Sequence, residues 1–344
     1  MSGPEANPIR PLCVWKLKAA IKRLILDGSL LISTSANDKI RVWSINPLTG
    51  HITPEKTFKG HKGTPTKLVI HKSILLALSS HDSTLRSWNL QTLEPHKNFE
   101  GHEQHLSDLA VCEKEDIMYT SSFDNTIRSW NIMKGGKALN VFKGHSDSVT
   151  CVRVKGKHLF SASADKTVRI WLRKGGQNTN ILHGHTNFVF GLHLHSDTIF
   201  SYSHDGTVRL WKMKTGELKH TIDVGYPVKS MKLQNKQLFT SAKSILESWS
   251  LKGKKLYTVE GHSGQILCNT WYGKKYLFTG GQDRTVRAWD LDNKGKQMLL
   301  FRGHEGMVNA LELKDRWVFS GGEDCTIRLW PNPIFSKSEA KGWV

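Results

Sequence analysis

Six Gly-His pairs punctuate the chain, with histidines at His61, His102, His145, His185, His262 and His304, and about twenty residues after each comes an aspartate that opens a run ending in tryptophan. Together with nearby serines and threonines these are the residue types of a nucleophilic triad, in which an imidazole takes a hydroxyl proton and a carboxylate orients the imidazole. A catalytic set is built once, around one site. A set repeated along the chain points to a structural fastener, which leaves hydrolysis as the minor reading. Seventeen histidines also raise metal binding. Their close doublets, such as His183 with His185 and His193 with His195, have strand spacing and lack an acidic or cysteine companion. Cys13, Cys112, Cys151, Cys268 and Cys325 are odd in number and scattered, with no C-x-x-C pair, and read as reduced, mostly buried thiols. The glycine-rich stretches at 134–137 and 173–176 read as strand connections, not phosphate loops. No metal and no cofactor is expected.

The elements that must position these residues show in the tryptophans. Trp43, Trp88, Trp130, Trp171, Trp211, Trp249, Trp289 and Trp330 follow one another at intervals of 45, 42, 41, 40, 38, 40 and 41 residues. Seven of the eight close one pattern: NDKIRVW, DSTLRSW, DNTIRSW, DKTVRIW, DGTVRLW, DRTVRAW and DCTIRLW. The sixth reads KSILESW, one residue short across the turn. In the fourth unit VTCVRV, HLFSASA and TVRIW are short runs rich in β-branched and aromatic residues, separated by KGK and ADK, with NILHGH as a fourth run. No helical stripe competes. A four-stranded sheet of this size cannot bury both faces alone, so successive sheets must stack, and closing the array into a ring removes its exposed ends.

Gly-His, about twenty residues, then D-x-T-V-R-x-W resembles the WD-repeat family, over about Pro11 to Trp330. The resemblance implies an all-β fold, a single eight-bladed β-propeller of four-stranded antiparallel sheets at 11–334, with tails at 1–10 and 335–344. Little suited to a strand follows Trp330, so the N-terminal run Leu12 to Lys16 is expected to complete the last blade. The resemblance also implies that His, Ser or Thr, Asp and Trp of a repeat form a hydrogen-bonded structural set. Five repeats carry it whole: His102, Thr120, Asp124 and Trp130; His145, Ser161, Asp165 and Trp171; His185, Ser201, Asp205 and Trp211; His262, Thr279, Asp283 and Trp289; His304, Ser320, Asp324 and Trp330. Repeat one has Leu17 and Asn37 at the His and Asp positions, repeat two has Leu78 where Ser is expected, and repeat six has Tyr226 and Lys243. These blades are expected to be the softest.

The family places the Gly-His loops and the Asp turns on one face, where residues three and five after the His and just before the Asp commonly bind partners. Those positions hold Lys22, Thr66, His81, His105, Phe123, Phe188, Phe190, His204, Tyr226, Lys229, Gln265, Gln282, Met307, Asn309 and Glu323. Phe123, Phe188, Phe190 and Tyr226 have the composition of a protein or peptide anchor. The opposite loops gather cations, among them Lys134, Lys137, Arg173, Lys174, Lys252, Lys254, Lys255, Lys274 and Lys275.

Those cations belong to a balance of 49 Lys plus Arg against 30 Asp plus Glu, a net +19 in 344 residues. Such an excess favours acidic proteins, nucleic acid or anionic membrane, and equally makes a solvated surface that guards strand edges. Aromatics are not interleaved with the lysines, which argues against base recognition. Among relatives, the eight short blades are similar to the propellers of F-box/WD-repeat proteins, without the F-box domain or the arginines that such phosphopeptide readers present. A non-catalytic scaffold or substrate-recruiting adaptor for protein or peptide partners is therefore expected, with polyanion binding as the alternative. No apolar run opens the chain and none approaches the roughly 20 residues of a membrane helix, so a cytoplasmic or nuclear location is expected. The pattern sets no oligomeric state.

Overall fold

The computed structural model describes residues 8–79 and 83–335. A first strand, β1 (Cys13–Lys16), precedes the repeats. The first sheet comprises β2 (Ile21–Asp27), β3 (Leu30–Ser35), β4 (Ile40–Ile45) and β5 (Ile52–Phe58). The second has β6 (Pro65–His71), β7 (Ile74–Ser79), β8 (Leu85–Asn89) and β9 (Glu94–Phe99). The third has β10 (Leu106–Cys112), β11 (Ile117–Ser122), β12 (Ile127–Asn131) and β13 (Asn140–Phe142), and the fourth β14 (Val149–Lys155), β15 (His158–Ser163), β16 (Val168–Leu172) and β17 (Asn178–Leu182). The fifth has β18 (Val189–His195), β19 (Thr198–Ser203), β20 (Thr207–Lys212) and β21 (Leu218–Asp223), and the sixth β22 (Ser230–Gln234), β23 (Gln237–Ala242), β24 (Ile245–Ser250) and β25 (Lys255–Val259). The seventh has β26 (Ile266–Tyr272), β27 (Tyr276–Gly281), β28 (Thr285–Asp290) and β29 (Lys296–Arg302). β30 (Val308–Lys314), β31 (Trp317–Gly322) and β32 (Thr326–Pro331) end the series.

Seven sheets run in chain order; the eighth runs β1-β32-β31-β30. These are the blades of an all-β, eight-bladed propeller. The N-terminal strand completes the last blade as expected, Cys13 facing Leu329 and Lys16 facing Thr326 in antiparallel register. Pairing begins earlier than the sequence suggested, because Ile9 forms a parallel bridge to Phe301, donating to Leu300 O at 2.7 Å and accepting from Arg302 N at 3.1 Å. The residues at 8–10 therefore do not all behave as a tail.

Among the described residues the chain packs as two units, one of 8–60, 243–247 and 256–335, the other of 61–79, 83–242 and 248–255. Within each, apolar clusters sit between consecutive sheets. Tyr119, Ile127 and Phe142 of the third sheet meet Val149, Val152, Leu159 and Trp171 of the fourth, with Phe142 edge-on to Trp171 at 6.0 Å. In the other unit, Phe278, Val286 and Phe301 meet Val308, Val318 and Trp330. Sheets covered on both sides explain why β7 and β15 are almost continuously buried. The outer strand β5 instead exposes its middle five residues.

Two local features of the repeat follow from this packing. A Cβ on Gly144 would come within 2.8 Å of the Arg169 guanidinium and 3.1 Å of the Trp171 ring, so only glycine lets the motif's Arg and Trp close over the Gly-His loop. The residue after the motif Asp takes a left-handed φ, 64° at Asn125, 70° at Lys166, 64° at Arg284 and 60° at Cys325. That conformation costs about 1 kcal/mol without glycine. The Asp offsets it, since Asp165 Oδ1 receives both the N–H and the hydroxyl of Thr167, at 2.9 and 2.7 Å.

Candidate functional site

The Ser, His and Asp types that suggested chemistry converge in five repeats. In the fourth, Trp171 Nε1 donates to Ser161 Oγ at 2.9 Å, Ser161 Oγ lies 2.7 Å from His145 Nε2, and His145 Nδ1 lies 2.6 Å from Asp165 Oδ2. An indole N–H can only donate, so Ser161 accepts from Trp171; burial disfavours a charged His145 ring, so the Ser161 proton goes to Nε2. The ring is then neutral and donates from Nδ1 to Asp165, which also accepts the Ser146 N–H at 3.2 Å. Thr120, Ser201, Thr279 and Ser320 take the same position between indole and imidazole. Burial holds the imidazoles of His145, His185 and His304 below the ordinary histidine range, partly offset by their aspartates. Burial alone would raise Asp124, Asp165, Asp205, Asp283 and Asp324, yet their histidine and threonine donors outweigh it and hold all five below the carboxylate norm. Ser161 is fully buried and its proton is committed. This geometry ties three strands together and presents no nucleophile.

The three irregular repeats differ in how they depart. In repeat one Trp43 Nε1 still donates to Ser33 Oγ at 2.9 Å. In repeat two the register corrects the expectation for Leu78: Ala77 stands opposite Arg86 as Ser161 stands opposite Arg169, while Leu78 faces the apolar cluster, because this hairpin is one residue longer. The buried Ala77 has no polar atom to pass between Trp88 and His61, whose rings pack at 5.7 Å. In repeat six Trp249 Nε1 donates to Thr240 Oγ1 at 2.9 Å, and the phenol oxygen of Tyr226 lies 3.0 Å from that same Oγ1. Tyr226 therefore occupies the imidazole's place in the fastener. This corrects its placement in the exposed aromatic anchor: the phenol is directed into the blade because Thr240 offers a buried polar partner.

The expected partner-facing positions come together in pairs, through a backbone bond the sequence pattern did not show. In the unit of 61–242, Phe123 N donates to His105 O at 2.9 Å and His204 N to Phe188 O at 3.1 Å. The residue before each Asp is thus held beside the residue three after the His. His105 and Phe123 meet edge-on at 6.2 Å. Phe188 stacks on His204 at 4.8 Å and meets Phe190 edge-on at 4.7 Å. Asn187, which the motif reading missed, holds this cluster by a 3.3 Å bond to His204 Nδ1. Thr66 and Lys229 are exposed, and His81 lies outside the described residues.

In the other unit, Gln282 N donates to Gln265 O at 2.9 Å and Glu323 N to Met307 O at 2.8 Å, with all four side chains exposed. Asn309 Nδ2 reaches both Ile21 O and Glu323 Oε1 at 2.9 Å, while Lys22 pairs with Glu323 at 2.6 Å. Asn309 is therefore a link between β30 and β2. Ser107 and Thr150 stand at the equivalent position and do the same, donating to Val149 O at 2.5 Å and Val189 O at 2.6 Å.

A second polar cluster lies on the inner strands. Asp108 is buried and meets Lys67 of β6, Arg153 of β14 and the Val152 N–H, the last at 3.1 Å. Burial would raise its carboxyl, but Arg153 and Lys67 hold it below the usual range.

The expected cation patch is thinner than the sequence implied. Arg173 is buried: its Nε donates to Tyr119 Oη at 2.8 Å and its remaining nitrogens to Gly156 O and Glu115, so it is a structural residue and not a polyanion contact. A side chain with five donors is drawn inward where carbonyl, phenol and carboxylate acceptors converge. Lys275 pairs with Asp290 at 3.7 Å and Asp292 at 3.3 Å. Lys134, Lys137, Lys174, Lys252, Lys254, Lys255 and Lys274 are exposed. Of the five cysteines Cys151 is buried and Cys13, Cys112, Cys268 and Cys325 are half-buried, which corrects the expectation of mostly buried thiols. Among the described residues no group of three His, Cys, Asp or Glu could hold a metal ion, and no helix is long and apolar enough to cross a membrane.

The signature described as WD domain, G-beta repeat matches residues 93–131, 136–171, 176–212, 253–290 and 295–331. That is more than half of the chain, which belongs to this WD-repeat family. The matches pass over repeats one, two and six, where the fasteners are altered. Mitochondrial division protein 1 of Neurospora crassa is 28% identical over 142 residues, 41% of this chain and 20% of that protein. Nuclear distribution protein PAC1 of Arthroderma otae is 35% identical over 79 residues, 22% of this chain and 16% of that one. The match spans a fifth or less of these curated relatives. Among solved structures, the computationally designed Ika8 protein superposes with a TM-score of 0.80 at 27% identity, covering 95% of this chain and all of that one.

Proposed function

We propose that the chain is a non-catalytic scaffold or recruiting adaptor that holds protein or peptide partners on the loops carrying the Gly-His pairs and Asp turns. The observation that carries this reading is the backbone pairing of those loops, which sets Phe123 beside His105 and His204 beside Phe188 and leaves aromatic surface half-exposed or exposed. Aromatic residues on a rigid scaffold are the composition of an interface anchor. Proteins similar to this one are named for mitochondrial division and for nuclear distribution, two tasks of unlike chemistry that suit a shared binding surface better than a shared reaction. A polyanion-binding role is the second reading, favoured by the exposed Lys252, Lys254 and Lys255 in one short connection.

Affinity purification of the full chain from cells separates the two. Phe188→Ala with Phe190→Ala should deplete protein partners, and Lys252, Lys254 and Lys255 changed to Glu should leave them. The reverse pattern, with retained material lost between about 50 and 200 mM salt, supports phosphate-backbone binding instead.

A further inference from the structure

The inner strand of seven sheets is seven residues long, from β2 through β30; in the sixth sheet β22 is five. Its ladder with β23 begins at Ser230 facing Ser241. Val228 and Lys229, at the positions where other inner strands start, lie ahead of that ladder. The neighbouring β18 departs at the same height. Ser107 and Thr150 reach forward to the first carbonyl of the next inner strand, and the equivalent residue of β18 is Phe190, which has no donor to offer Val228. Phe190 packs on Phe188 at 4.7 Å and lies 5.9 Å from His204, and all three rings stay half-exposed. The two inner strands do face one another: β18 bears His193, an imidazole held low by burial and by the charges of Arg153, His195 and Lys232, the last on β22.

The charges beside this seam are unequal. Asp205 is committed to His185, Thr186 N and Thr207, and Asp223 accepts the Gly225 N–H at 3.0 Å. Lys229 is exposed and makes no ion pair among the described residues. Val228 N donates to Ser203 O at 3.0 Å, which brings the backbone of Lys229 alongside that of His204. A rigid apolar cluster with an uncommitted cation on the adjoining backbone selects an apolar group with a carboxylate close by.

We propose that the seam between the fifth and sixth sheets binds a short peptide segment carrying one large apolar side chain with an acidic residue next to it, the apolar group seated on Phe188 and Phe190 and the carboxylate on Lys229. This rests on the reading that the Gly-His and Asp-turn loops bind partners, and it names the residues and peptide chemistry within them.

The test is selection of a random peptide library displayed on phage against the full chain, followed by binding of the enriched peptides to three variants. Phe190→Thr restores the residue type that links Thr150 to its neighbour, Lys229→Glu reverses the charge, and Phe123→Ala alters the separate aromatic pair of the third sheet. Enriched sequences should place Leu, Phe or Trp beside Asp or Glu and lose about tenfold or more in affinity with Phe190→Thr and with Lys229→Glu, but not with Phe123→Ala. Thermal melts establish that each variant folds; should Phe190→Thr melt non-cooperatively, Lys229→Glu decides alone. Peptides that bind both seam variants as tightly as the parent overturn the proposal. If those peptides fail instead with Phe123→Ala, the loops still bind partners and only the seam assignment falls. Enrichment of basic peptides, or of none, counts against it as well.

Discussion

Ser161 Oγ lies 2.7 Å from His145 Nε2 while accepting from Trp171 Nε1 at 2.9 Å, so the hydroxyl that resembles a nucleophile is saturated and its histidine is neutral. Ser161→Ala strands a buried indole N–H and an imidazole nitrogen together. It should lower stability by about 1–3 kcal/mol. Chemical denaturation of the two proteins measures this directly, and an unchanged midpoint would show that the relay contributes nothing.

Acid should destabilise the fold in two stages. The folded imidazoles of His145, His185 and His304 titrate below their unfolded value, so the unfolded chain binds protons first and stability present above about pH 6.5 falls as the pH drops below it. The depressed aspartates, Asp124 and Asp165 among them, add a further loss below about pH 4, as the unfolded carboxyls take up protons that the folded ones refuse. Urea midpoints measured at stepped pH should decline from near neutrality downward. A flat profile between about pH 7 and 5 would mean that the buried imidazoles are not neutral in the folded chain.

Repeat two offers a reversed test, because Ala77→Ser would supply the missing hydroxyl between Trp88 and His61. The change adds one polar atom at a fully buried position and leaves Leu78 in its apolar cluster, so a hydrogen bond of roughly 1 kcal/mol is gained with no leucine removed. The variant should melt above the parent. A lower melting temperature would show that the two rings leave the hydroxyl no place between them.

At the link between β30 and β2, Lys22 and Glu323 form a pair whose side chains are each 37% exposed. Lys22→Ala should therefore cost no more than about 1 kcal/mol. Asn309→Ala removes a bond to the Ile21 carbonyl and should cost as much or more, with little dependence on salt. Denaturation at low and high ionic strength separates the two, and a strongly salt-dependent Asn309 effect would contradict this division.

Much of the blade architecture was legible because its causes are local. Gly144, His145, Asp165 and Trp171 recur at fixed spacing since each fills a place that one strand order dictates, and the run at Leu12–Lys16 pairs where a strand was missing. What escaped depends on what a neighbouring sheet offers. Tyr226 reads as an exposed aromatic, yet Thr240 draws its phenol inward; Arg173 reads as a surface cation, yet Tyr119, Gly156 and Glu115 enclose it. Asn309 and its equivalents read as partner contacts, whereas their first partner is the next inner strand. Asn187 carries no motif signal, because its role depends on the ring of His204 seventeen residues on.

Amide hydrogen exchange of the full chain, alone and with the partner that co-purifies, tests the central claim most directly. Protection on binding should concentrate at 103–106, 122–124, 187–190 and 203–205, where the paired loops carry His105, Phe123, Phe188 and His204. Protection confined to 134–137 and 252–255, with those loops unchanged, would contradict it and move the binding surface to the lysines.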